Sequence, residues 1–210
     1  MTGPSAPIVC VLDYGSGNVR SVRNLFASLV ADIVVSNNPE DIRRATHLVL
    51  PGVGAFGAAM TRISARLPVA DLQQIVIVEG KPFLGICVGM QVLADRGLEF
   101  GEHAGLGWIA GTTRGLDTGS DVSIPHTGWN DLATVHHSPL LDGLGDRPDF
   151  YFVHSFIFVP DDPADVVATA THGETFAAVV QRRNIIGAQF HPEKSQHSGI
   201  RFARNFLGLP

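Results

Sequence analysis

The first hundred residues alternate between two hydrophobic patterns. Ile8–Asp13, Ile33–Val35, His47–Leu50 and Pro82–Ile86 are short, nearly unbroken apolar runs, the pattern of strands buried on both faces. Between them, Val19–Leu29, Pro39–Arg44 and Phe56–Gly80 repeat apolar positions at helical spacing, with Asn38 placed to cap the second. Strand and helix in alternation predict an α/β fold with a central, mostly parallel sheet flanked by helices. After Gly101 the texture changes. Trp108–Leu116, Val122–Pro125, Asp131–Val135, Phe150–Val159, Val166–His172 and Phe176–Arg182 predict shorter strands joined by hairpin turns, a second and more antiparallel β region in the C-terminal half. Ile185–Phe190 reads as another buried strand. Gln196–Leu207 predicts a closing helix with Ser195 as its N-cap. No linker, repeat or low-complexity tract interrupts the pattern, so residues 1–210 are expected to form one domain.

Composition narrows the class. With 45% hydrophobic and 17% charged residues, the chain suits a soluble globular domain with a full core. A net charge of −5 leaves no basic footprint for nucleic acid or an anionic membrane. Of the two cysteines, Cys10 lies inside the apolar Ile8–Leu12 run and reads as core. A disulfide from there to Cys87 is not expected, and the usage fits a reducing cytosol. Met1–Pro7 lacks the basic and apolar regions of a signal peptide. No apolar stretch approaches the ~20 residues needed to span a bilayer. The expectation is a cytoplasmic protein.

Chemistry concentrates in three places. Lys81–Ile86 feeds a Gly-x-Cys-x-Gly turn, Gly85 to Gly89, followed by an amphipathic segment, Val88 to Leu93. That is the layout of a nucleophile elbow, a tight strand-to-helix turn that exposes one side chain above a sheet. At a helix start, free N–H groups and the dipole favour the thiolate of Cys87. Taken alone, the turn is equally compatible with a small inert core cysteine. The strand Ile185–Phe190 runs into His191-Pro192-Glu193. Pro192 biases His191 toward an extended conformation, in which residues two apart share a side, so Glu193 can orient the His191 ring. Thirdly, Pro51-Gly52-Val53-Gly54 closes an apolar strand. Its N–H groups, with that of Val88, are suited to holding an oxyanion, and it lacks the lysine of a phosphate-binding loop. The adjacent His136 and His137 do not make a metal site, because neighbouring side chains rarely converge and no Cys or carboxylate cluster joins them. His103, His172 and His197 are expected at the surface.

Together GICVGMQ, FHPEKS and PGVG resemble the class I (triad) glutamine amidotransferases. Asp13–Asn18, Pro125–Asn130 and Tyr151–Phe156 narrow the resemblance to the glutaminase subunits of imidazole glycerol phosphate synthases, from about Val11 to Ser195. The resemblance implies Cys87 as nucleophile, His191 as acid–base and Glu193 as the residue orienting it. It implies an oxyanion hole at Gly52, Val53 and Val88, and a glutamine pocket from Gly54, Gln91 and the main chain of His154, Ser155 and Phe156. Asn18, His126, Trp129 and Lys194 are implied to meet the partner, a (β/α)8-barrel cyclase. No cofactor and no metal are implied.

Under that resemblance, the Cys87 thiolate attacks the side-chain amide of L-glutamine. His191 protonates the leaving nitrogen, which departs as ammonia, and water hydrolyses the γ-glutamyl thioester to glutamate. The ammonia passes to the cyclase in a heterodimer, which makes imidazole glycerol phosphate and aminoimidazole carboxamide ribotide. Glutamine turnover by the chain alone is expected to be low, because the Gly52–Val53 peptide needs the partner to orient it. Three other readings remain: a paralogue feeding another acceptor such as surface-sugar amidine synthesis, a Cys-His hydrolase of the same architecture, and a glutamine-sensing subunit without turnover.

Overall fold

A computed structural model describes residues 6–30, 32–119 and 122–209. Most of the leading segment Met1–Pro7 therefore lies outside the described residues. Fourteen strands are present among those residues. They are β1 (Ile8–Leu12), β2 (Asp32–Ser36), β3 (His47–Gly52), β4 (Phe83–Cys87), β5 (Arg96–Gly97), β6 (His103–Ala104) and β7 (Gly111–Gly115). The rest are β8 (His126–Asp131), β9 (Ala133–Thr134), β10 (Asp149–His154), β11 (Phe156–Pro160), β12 (Val166–His172), β13 (Glu174–Arg182) and β14 (Ile185–Ala188). The helices are α1 (Val19–Ala27), α2 (Pro39–Arg44), α3 (Phe56–Arg66), α4 (Val69–Gln73), α5 (Val88–Gln91) and α6 (Gln196–Leu207).

The main sheet runs β2-β1-β3-β4-β14-β13-β12-β9. From β2 to β14 it is parallel, and from β14 to β9 antiparallel. The predicted parallel sheet is thus present, and β3, β4 and β14 are buried at every residue, as strands covered on both faces must be. Asn38 caps α2 as expected, its side chain accepting from the Glu40 N–H at 2.9 Å. α1 buries Val22 and Phe26, α6 buries Phe202 and Phe206, and Phe26 meets Phe206 edge-on at 6.2 Å. A separate four-stranded sheet, β11-β7-β5-β6, and a β10–β8 ribbon form the additional β region. Among the described residues, no helix is long and apolar enough to cross a membrane.

The chain leaves β1 toward β2 on one side and returns to β3 on the other. That reversal makes a crevice at the carboxyl ends of β1 and β3, where open α/β sheets bind ligands. The Asp13–Asn18 loop follows β1 and Gly52 ends β3, while Cys87 ends the neighbouring β4 and His191 follows β14.

Several predicted segments differ. Phe56–Gly80 is not one helix: Pro68 forces Leu67 into extended backbone (φ −104°, ψ 148°), and the chain restarts as α4 and a π-helical turn, Gln74–Val78. Phe150–Val159 breaks at Ser155, so β10 pairs with β8 while β11 pairs with β7 in another sheet. Val122–Pro125 forms no strand among its residues; the strand begins at His126. Val88–Leu93 is not amphipathic in its setting, since α5 is buried on every side. Ser195 does not cap α6 with its side chain. Its hydroxyl instead donates to the His191 carbonyl at 2.7 Å and accepts from the Tyr151 N–H at 3.0 Å, pinning the turn that carries the histidine.

Candidate active site

β4 delivers Cys87 in a conformation rare for a side-chain-bearing residue, φ 55° and ψ −111°. The turn closes because its neighbours lack side chains. A Cβ on Gly89 would collide with the Leu50 carbonyl, and one on Gly85 with the Gly89 carbonyl. Cys87 is 4% exposed, at the start of α5, with Val88 beside it.

β14, parallel to β4, carries the other half of the chemistry. His191 Nδ1 meets Glu193 Oε1 at 2.9 Å, with both side chains almost fully enclosed. The pairing is made by a 3-10 turn, Pro192–Lys194, rather than by the alternation of an extended strand. Because the carboxylate accepts from Nδ1, the imidazole presents Nε2 to the reacting side, and that atom has no other hydrogen-bond partner among the described residues. Burial alone would lower the pKa of His191; the Cys87 sulfur and the Glu193 carboxylate outweigh it and push the ring up to about 9.

These residues open on a cavity of about 720 Å3. Cys87, His191, Val53, Gly54, Val88 and Gln91 line it, as do His154, Ser155 and Phe156 on its far wall. Gly52 sits behind the wall, paired with Cys87 across β3 and β4, where a Cβ would strike the Gly89 nitrogen. Gln91 is held by both of its amide hydrogens, to the Phe156 carbonyl at 2.9 Å and to Gln189 Oε1 at 3.1 Å, which leaves its own Oε1 as the acceptor it can offer.

The expected partner contacts divide. Asn18 lines the cavity and donates to Glu193 Oε1 at 3.2 Å. Trp129 is 45% exposed, and Lys194 is exposed with its Nζ 5.5 Å from the Tyr151 ring. His126 is not at the surface: at 3% exposure it is stacked on Phe152 and His172, because the β8–β10 pairing folds it inward. His172, expected at the surface, is half-buried by that stack and bonds the Ser123 carbonyl at 2.9 Å. Cys10 is core, its thiol pushed up to about 12 by burial.

Two residues of the site escape a reading of motifs. Glu99 supplies the one carboxylate lining the cavity among the described residues, and its Oε2 accepts from the Phe56 N–H at 2.7 Å. Its only sequence mark is a charge set in the short Gly97–Gly101 stretch. Gln189 is fully buried and donates from Nε2 toward Cys87 Sγ at 3.7 Å. An amide between Ala188 and Phe190, inside an apolar run, was the available signal, since a polar group buried there needs a partner.

A strained cysteine, a histidine–carboxylate pair and an open α/β sheet fit a triad acyl-transfer enzyme, and residues 10–208 match the family described as glutamine amidotransferase class-I. The chain belongs to the class-I glutamine amidotransferases, as its motifs implied. It is 46% identical to imidazole glycerol phosphate synthase subunit HisH of Zymomonas mobilis, over 99% of this chain and 98% of that one. The subunit of the same name from Salinibacter ruber is 45% identical, over 95% and 94% respectively. Among solved structures, PurLQS from Thermotoga maritima shares the fold with a TM-score of 0.74 at 21% identity, covering 97% of this chain and 98% of that chain.

Proposed function

We propose that residues 1–210 act as one glutaminase domain, the glutamine-hydrolysing subunit of an imidazole glycerol phosphate synthase, with Cys87, His191 and Glu193 as its triad. What carries the reading is that Cys87 and His191 line one cavity while Glu193 holds the His191 ring from behind, in a chain matched over nearly its whole length by such subunits. Cys87 Sγ attacks the amide carbon of L-glutamine and forms a tetrahedral adduct. The Val88 N–H and the backbone at Gly52 and Val53 receive the oxyanion. The imidazolium of His191 gives its proton to the departing nitrogen, which leaves as ammonia; neutral His191 then takes a proton from the water that splits the thioester. Glu193 holds the Nδ1–H, and Glu99 is placed to receive the α-ammonium group of the substrate.

Ammonia released here needs an acceptor enzyme. In this reading a (β/α)8-barrel cyclase docks on the face that carries the cavity, with exposed Trp129 and Lys194 at the contact. Both cysteines are free and buried, which suits a reducing cytoplasm.

The test is glutamate release and cyclase product formation by the purified chain, alone and with its cognate cyclase subunit. Weak turnover alone that rises with the partner is expected. Cys87→Ala should abolish synthesis from glutamine while leaving synthesis from added ammonium salts intact. Absence of glutamate under every condition sinks the glutaminase reading, and turnover indifferent to the cyclase points to another acceptor.

A further inference from the structure

In the cavity's far wall and just behind it, two histidines are buried side by side on paired strands. His126 of β8 stands opposite His154 of β10, at 3% and 6% exposure. His126 Nδ1 lies 3.0 Å from His154 Nε2, and His154 Nδ1 lies 3.0 Å from the Phe156 carbonyl oxygen. On the other side, Asn130 Nδ2 meets His126 Nε2 at 3.2 Å and the Thr171 carbonyl at 2.9 Å.

The polarity of this row follows from its last member. A carbonyl only accepts, so His154 carries its hydrogen on Nδ1. A neutral His154 then accepts at Nε2, which requires the hydrogen of His126 to be on Nδ1. His126 in turn accepts at Nε2, and the Asn130 amide supplies that donor while its second hydrogen goes to Thr171. One arrangement of neutral rings satisfies every atom. Burial, with the neighbouring histidines, holds both rings neutral: His126 is pushed down to about 4 and His154 to about 3.

Continuing into the site, the Phe156 carbonyl also accepts from Gln91 Nε2 at 2.9 Å, so both its lone pairs are engaged. Gln91 passes its other hydrogen to Gln189 Oε1 at 3.1 Å, and Gln189 donates toward the nucleophile. Rotation of the Phe156 peptide would release Gln91 and turn its Oε1 away.

We propose that His126 and His154 are positioning residues for glutamine: their ordered hydrogen bonds fix the Phe156 carbonyl, and through it the orientation of Gln91 in the pocket. This role rests on the glutaminase reading above. It concerns binding more than chemistry, because Gln91 touches the end of the substrate that does not react.

Two substitutions at His126 separate hydrogen bonding from packing. His126→Phe keeps a ring to stack on Phe152 and His172 but removes the donor to His154. His126→Asn removes the ring and retains a donor near the place of Nδ1. In the complex with the cyclase, His126→Phe is expected to raise KM for glutamine about tenfold with kcat changed less than about threefold, the size of one lost hydrogen bond. His126→Asn is expected to recover most of that loss. The opposite order, with His126→Phe near wild type, or a fall in kcat at unchanged KM, assigns the residue to packing and overturns the proposal. Independently of any variant, the ring nitrogens of 15N-histidine-labelled protein should show the Nδ1–H tautomer at both positions. An Nε2–H tautomer at either one overturns it as well. Expected tautomers with unchanged KM sink the positioning role alone, whereas wild-type protein inert toward glutamine sinks the glutaminase reading and this role with it.

Discussion

Asn18 and Glu193 are 175 positions apart, yet the Asn18 amide donates at 3.2 Å to Glu193 Oε1, the same oxygen that accepts from His191 Nδ1 at 2.9 Å. Two donors on one oxygen fix the carboxylate where the imidazole needs it, while Oε2 is buried without a partner among the described residues. Asn18→Ala is expected to lower kcat for glutamine about tenfold, the size of one hydrogen bond to a charged group, with little change in KM. Asn18→Asp should be worse, because a second carboxylate would face Glu193. Steady-state glutamate release by the complex checks both, and an unaltered kcat in Asn18→Ala would remove Asn18 from the machinery.

The proton on His191 ties stability to pH. Folding raises the affinity of this ring for its proton, from the ordinary 6.5 to about 9. The resulting stabilisation is therefore complete below about 6.5 and is lost as pH rises through about 9. Urea unfolding of wild type and His191→Gln should show a stability difference that shrinks between about pH 6 and about pH 10. A difference that stays constant over this range contradicts the assignment. Acid catalysis by the imidazolium should fade over the same upper limb.

Gly89→Ala sets two effects against each other. Helix propensity alone would favour Ala by ~1 kcal/mol. The new Cβ, however, would enter the Leu50 carbonyl, a backbone group held in the sheet, and overpacking of that kind costs ~1–3 kcal/mol or more. The variant is expected to be net destabilised by ~2 kcal/mol in denaturant titration, and to lose glutaminase activity through displacement of Cys87. A more stable variant would mean that the elbow yields easily.

Glu99→Gln tests the electrostatics of the pocket. Removing the cavity's one carboxylate, among the described residues, should raise KM for glutamine about tenfold or more, since a charge-assisted contact is stronger than a neutral one. Folding should be nearly unaffected, because the amide oxygen can still accept from the Phe56 N–H. Steady-state kinetics alongside a melting curve would separate the two, and an unchanged KM would place the ammonium elsewhere.

The parallel strands and the proposed triad were legible in the sequence because their signals are local. Continuous apolar runs mark β1, β3, β4 and β14, and Gly or Pro marks the turn after each. What escaped depends on distant pairing. Nothing near Ser155 says that β10 and β11 belong to different sheets; β8 and β7, well upstream of it in the chain, decide it. His126 reads as a polar residue beside a proline until β10 closes over it. Gln189 and Glu99 lie outside any motif, and only the assembled cavity gives them a purpose. The break at Pro68 was in plain view, but the apolar spacing continues through it and obscures the stop.

The seam between β4 and β14 also has a temporal meaning. Cys87 emerges from the ribosome well before His191 and Glu193 exist, and β14, which brings them, takes its place between β4 and β13 in the interior of the sheet. Under the proposed triad, a chain that stops before β14 would hold Cys87 with no base to serve it and would spend no glutamine. In that reading, activity waits for β14.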